Sequence, residues 1–126
     1  YMPELKLKQL QYEADTWKRL LGFFMEENIH LKNRLSEVLK NNFDKKLLEE
    51  VENFQSRFMK EDNLIGLLRN NVAEFDKLLL RESFEDGQLK KEVVRKVKTL
   101  RKNIENAEVE FSKLKKEFNN YLSENI

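Results

Sequence analysis

Apolar residues recur along this chain in steps of three and four, in three separate stretches. In the first stretch one row reads Leu7, Ala14, Leu21, Asn28 and Leu35, and a second reads Leu10, Trp17, Phe24, Leu31 and Val38. Two interleaved rows with a seven-residue recurrence put their members on one face of an α-helix. Strict recurrence over five heptads predicts a coiled-coil-like seam rather than a free-standing amphipathic helix. The second stretch carries Val51, Phe58, Ile65, Val72 and Leu79 beside Leu47, Phe54, Glu61, Leu68 and Phe75. The third carries Val93, Leu100, Ala107, Leu114 and Tyr121 beside Val97, Ile104, Phe111 and Phe118.

Turn chemistry separates the stretches. Pro3 followed by Glu4 suits a first helical turn, because proline lacks only a donor that would be unpaired there. The first helix is expected over about residues 4–40. Asn41-Asn42-Phe43-Asp44 makes a short connection, with Asp44 as N-cap and Phe43 and Leu48 spaced as a hydrophobic staple. The second helix is expected over about 44–84 and ends at Glu85-Asp86-Gly87, where Gly87 accepts left-handed geometry. The third is expected over about 88–123. Equal lengths and short connections predict an up-down-up arrangement, so the fold class is all-α, three long antiparallel helices in one bundle domain spanning residues 1–126. Leu20, Leu39, Leu48, Leu64, Leu78 and Val94 widen each stripe beyond a two-stranded seam, as a three-helix core requires.

Composition agrees with that pattern. There are three glycines and one proline, too few for a loop-rich fold, while 40% of residues are apolar and 37% charged. The net charge of +1 gives no overall field that would draw nucleic acid or an anionic surface. The charge is unevenly placed. Residues 44–87 hold 7 basic and 11 acidic side chains and residues 88–126 hold 10 and 6, which favours pairing of the second helix with the third. With no cysteine, disulfides, thiolate metal sites and a cysteine nucleophile are excluded. No stretch is long and apolar enough for a membrane span, and the first residues do not resemble a signal peptide, so a cytoplasmic location is expected.

The candidate chemistry is sparse. His30 is the one histidine, and Glu27-Asn28-Ile29-His30 has the Glu-x-x-His spacing used by di-iron bundles. Such a site needs a second pair and further glutamates, and the register turns His30 outward, so no metal and no cofactor are expected. Serine, histidine and acidic residues form no nucleophile, base and orienter set, so no catalytic residues and no small-molecule substrate are expected. Asn28 and Glu61 interrupt the seams. Reflecting the first two helices about their turn puts Asn28 near Arg57, with Glu61 one turn away. A polar core layer of Asn28, Arg57 and Glu61 that fixes register is therefore expected.

The outer faces differ among the helices. Gly22, Phe23 and Ile29 point outward from the first and Met59, Gly66 and Leu67 from the second, near mid-bundle and at neighbouring heights. Exposed apolar residues clustered around two glycines are expected to form an interaction patch, because small residues let another backbone approach. The third helix instead carries a basic stripe, Lys91, Arg95, Lys98 and Lys102, stepping by four, three and four. The leading expectation is a non-enzymatic structural or protein-interaction module, with itself as partner in a homodimer. The alternative is a binder of nucleic acid or an acidic partner through the basic stripe, whose contacts would be salt-sensitive.

Overall fold

A computed structural model of the protein describes residues 3–41, 44–81, 84–85 and 88–125. Three long helices run along one another in antiparallel order: α1 (Pro3–Asn41), α2 (Lys45–Leu80) and α3 (Lys91–Asn125). At about 1.5 Å per residue each is roughly 52–58 Å long. The expected N-cap is present, Asp44 accepting from the Lys46 backbone N–H at 3.2 Å. The staple expected at Phe43 lies outside the described residues.

The connection between α2 and α3 differs from the expectation. The second helix stops at Leu80 rather than near residue 84, where the Arg81 N–H caps the Leu78 carbonyl at 3.3 Å. Two short strands follow, β1 (Phe84–Glu85) and β2 (Gln88–Leu89), paired antiparallel with Phe84 opposite Leu89 and Glu85 opposite Gln88. Asp-Gly between two strands is a preferred sequence for a two-residue hairpin. That signal outweighs the helix propensity of the residues before it. Asp86 and Gly87 themselves lie outside the described residues.

Both seam rows of every helix face the centre. Leu10, Ala14, Trp17, Leu21, Phe24, Leu31, Leu35 and Val38 from α1 are buried, and so are the matching rows of α2 and α3, apart from Leu7 and Leu47 near the helix starts, which are half-buried. Aromatic rings fill the wide central space. Phe118 packs edge-on against Phe58 with ring centroids 5.0 Å apart and against Phe54 at 5.2 Å. Tyr121 adds to that end of the core at 5.1 Å from Phe54, and Phe24 meets Phe111 at 5.1 Å nearer the middle. Edge-to-face and tilted pairs of this kind add to the apolar area they bury.

Ion pairs along the flanks report the helix register. Lys18 reaches Asp76 at 2.6 Å and Lys32 reaches Asp62, both between α1 and α2. Between α1 and α3, Arg101 donates to Glu13 through the Nε/Nη2 edge of its guanidinium (2.8–3.1 Å), and Lys115 reaches Glu27 at 3.1 Å. These contacts show which rows of α1 face each neighbour: Lys18, Met25 and Lys32 turn to α2, Glu13 and Glu27 to α3.

Candidate functional site: the α1/α2 face and the polar layer beneath it

Mid-way along the bundle, α1 and α2 meet around a polar layer whose membership corrects the expected one. Asn28 is 0% exposed, and its Nδ2 donates to the Phe58 carbonyl at 3.1 Å and to Asp62 Oδ1 at 2.6 Å. Asp62 also accepts from Lys32. Arg57 is not part of this layer. It pairs with Glu117 of α3 at 2.5 Å and lies over the Phe54 ring at 5.6 Å. Asn28 therefore meets Asp62, five residues further along α2 than reflection about the turn places it. Reflection ignores both the residues spent in the connection and the rotation of α2 about its axis. Glu61 does occupy the core at 8% exposure, and burial raises its pKa, with the charges of Glu110 and Asp62 adding to the rise.

Above this layer lies the expected patch, which the register divides in two. Residues three or four apart on a helix share a side. Gly22 and Ile29 flank Met25, which accepts from Arg69 Nη1 of α2 at 3.0 Å, so they border the α1/α2 line. Met59 and Gly66 flank Asp62 in the same way on α2. Phe23 stands four residues from Glu27 and Leu67 four from Asn71, in rows that turn toward α3. The six residues thus divide: Gly22, Ile29, Met59 and Gly66 share the α1/α2 face, while Phe23 and Leu67 lie on its two outer flanks. Phe23, Ile29, Met59 and Leu67 are 52%, 46%, 59% and 57% exposed.

Both glycines are unexplained by the fold. A Cβ built on Gly22 or on Gly66 would meet no neighbouring atom within 4 Å. Neither glycine is there to let another described segment come close. Each nonetheless costs its helix about 0.5–1 kcal/mol relative to alanine. The contacts between α1 and α2, from Lys18–Asp76 through Met25–Arg69 to Lys32–Asp62, run past both glycines and past Ile29 to within a turn of Met59, so all four lie on the middle stretch of this face. Along each helix a glycine and an exposed apolar side chain stand one heptad apart.

The basic stripe is exposed along its length. Among the described residues none of Lys91, Arg95, Lys98 and Lys102 forms an ion pair, in contrast to Lys96, which reaches Glu92 at 3.6 Å. Arg95 borders an open groove of about 500 Å³ between α2 and α3, with Asn71, Glu74, Glu92, Thr99 and Asn103 around it. Its lining mixes both signs of charge.

No protein-family model matches this sequence, and neither a curated protein nor a solved structure matches it. Among the described residues, no three histidine, cysteine or acidic side chains are grouped to hold a metal ion. Glu27 of the Glu-x-x-His pair is engaged with Lys115, and His30 is exposed. No described helix is long and apolar enough to cross a membrane.

Proposed function

We propose that this protein is a non-enzymatic interaction module whose partner is a second copy of itself, docked through the α1/α2 face. The observation that supports this reading is the spacing of that face. Ile29 stands one heptad from Gly22 on α1, and Met59 stands one heptad from Gly66 on α2; the proposed docking takes the two pairs at matched heights. A two-fold axis lying across the bundle at the level of Met25 superposes one level on the other. Ile29 then sits over Gly22 of the second copy and Met59 over its Gly66, and the same contacts repeat in reverse, as an isologous interface requires. The two glycines, which cost stability and fill no internal role, become the holes that receive these side chains.

The available area sets the strength. From Asp15 to Ser36 the face is about 30 Å long and about 20 Å wide for two helices, so each copy covers roughly 600 Å². A total near 1,200 Å² is the lower limit for a stable interface, so dissociation in the micromolar range or weaker is expected. Sedimentation equilibrium tests this directly. The reading expects association that survives raised salt and is abolished by Ile29→Lys together with Met59→Lys. A protein that stays monomeric up to about 1 mM, well above such a dissociation constant, overturns it.

A second reading rests on the exposed basic stripe, which forms no ion pair among the described residues. Binding of a phosphate-rich or acidic partner through Lys91, Arg95, Lys98 and Lys102 would weaken steeply between low and physiological salt, whereas apolar docking responds little. Loss of binding in the Lys91→Glu and Lys98→Glu double variant, with α1/α2 variants unaffected, would favour it.

A further inference from the structure

Asn28 and Glu61 leave the core polar layer short of a donor. The amide orientation of Asn28 is fixed by chemistry, because its two neighbours on that side, the Phe58 carbonyl and Asp62 Oδ1, both accept. Its Oδ1 is therefore turned to the other side, where it is buried without a hydrogen-bond partner. Glu61 Oε2 is buried without a partner as well. Asn28 bonds Asp62, the chain neighbour of Glu61, so the two enclosed acceptor oxygens belong to adjacent positions of one core layer. Leaving such groups unpaired in a core is costly, and native structures seldom do so.

The charged groups around the layer do not supply what is missing. From α1, Lys32 is committed to Asp62, and Glu27 to Lys115. From α2, Asp62 is filled by Asn28 and Lys32, and Arg57 turns away to Glu117. From α3, Glu110 brings a negative charge toward Glu61, Lys115 is held by Glu27, and Lys113 at this height is exposed. Ionised Glu61 would thus face two further carboxylates in a buried setting, with Lys32, Arg57 and Lys115 already engaged and Lys113 turned to solvent.

We infer that the folded bundle keeps a proton on Glu61 and uses it as the hydrogen-bond donor that the Asn28 layer otherwise lacks. The protonated carboxyl offers one O–H donor and removes the charge that burial penalises. Burial and the neighbouring Glu110 and Asp62 all hold the Glu61 carboxyl above the ordinary carboxylate range, in accord with that assignment. The layer is then a pH-responsive element. Because the folded state binds this proton more tightly than the unfolded chain, its contribution is complete below the unfolded-state pKa near 4.5 and is lost as pH rises through the folded-state value. Loss of the proton sets Glu61 against Glu110, so α3 is the helix expected to loosen.

Carbon-detected NMR of side-chain carboxyls, titrated in the wild-type protein and in Glu61→Gln, tests the inference. The expected result is one glutamate titrating above all the others, absent from the Gln variant. The Gln variant, whose amide supplies a neutral donor at every pH, should also show a flatter dependence of melting temperature on pH from mildly acidic to alkaline conditions. A Glu61 resonance titrating with the exposed glutamates, as it would if a buried water bridged the ionised carboxylate, overturns the inference. So does a Gln variant whose melting temperature follows the wild-type pH profile. The readout does not depend on oligomeric state, so it stands or falls apart from the docking proposal.

Discussion

Replacing both Gly22 and Gly66 by alanine should stabilise the bundle and weaken its self-association, two effects of opposite sign from one change. A Cβ at either site meets no atom within 4 Å, so no clash offsets the gain. What remains is backbone entropy and helix propensity, about 0.8–1 kcal/mol for each interior glycine. The sites stand on different helices and share no partner, so the two gains should add to roughly 1.5–2 kcal/mol. With an unfolding entropy of about 2.1 cal/mol/K per residue, 1 kcal/mol corresponds to about 4 °C in a chain of this length. The melting temperature of the double variant, followed by circular dichroism at low concentration where the chain is monomeric, should rise by about 6–8 °C. At high concentration the added methyl groups occupy the sites assigned to Ile29 and Met59 of a second copy, so the dissociation constant should increase. A double variant that melts at or below the wild-type temperature when dilute would refute the open setting of the two glycines. One that melts higher but associates as before would refute their role as holes.

Other changes probe the parts that hold the face in place. Phe118→Ala removes a fully buried ring packed on Phe54 and Phe58 and should cost about 3–5 kcal/mol in urea unfolding. Asp44→Ala deletes the α2 N-cap and should lower stability by about 1 kcal/mol, while Asp44→Asn should retain most of it. Glu61→Leu removes both the buried carboxylate charge and the O–H donor inferred for the layer. Because the raised Glu61 pKa makes its charged form the destabilising one, the stability of the variant relative to wild type should be higher at pH 8 than at pH 5 in paired thermal melts.

The helical plan was legible because each seam repeats over four or five heptads, and one misplaced residue cannot shift such a pattern. The hairpin at Phe84–Leu89 was not, although its Asp86-Gly87 signal is in the sequence. Two-residue strands carry no periodicity, and the leucine run ahead of them reads as helix. The Asn28 partner was misassigned because a short turn fixes the order of two helices but not their relative rotation. Arg57 and Asp62 lie five residues apart, and the residues spent in the connection together with the rotation of α2 decide which one reaches across. The exposure of Phe23, Ile29, Met59 and Leu67 was legible, because a register gives exposure well. The division of the patch was not, since a single step along a helix turns a side chain by about 100°. That step carries Phe23 and Leu67 off the face that holds Gly22 and Gly66.

The antiparallel two-fold arrangement makes a distance prediction that no monomer shares. Because the chain contains no cysteine, one introduced at Glu26 or at Ser36, both exposed on α1, carries the only spin label. The axis passes close to residue 26, so the two labels of a Glu26→Cys dimer should lie close together. Those of Ser36→Cys should be about 30 Å apart, since each lies about ten residues from the axis at 1.5 Å per residue. Electron–electron dipolar spectroscopy on the two variants reads both distances. A short distance at 26 and a long one at 36 is the predicted result. No dipolar coupling at concentrations where association is expected, or a shorter distance at 36 than at 26, would contradict the docking of two copies through this face.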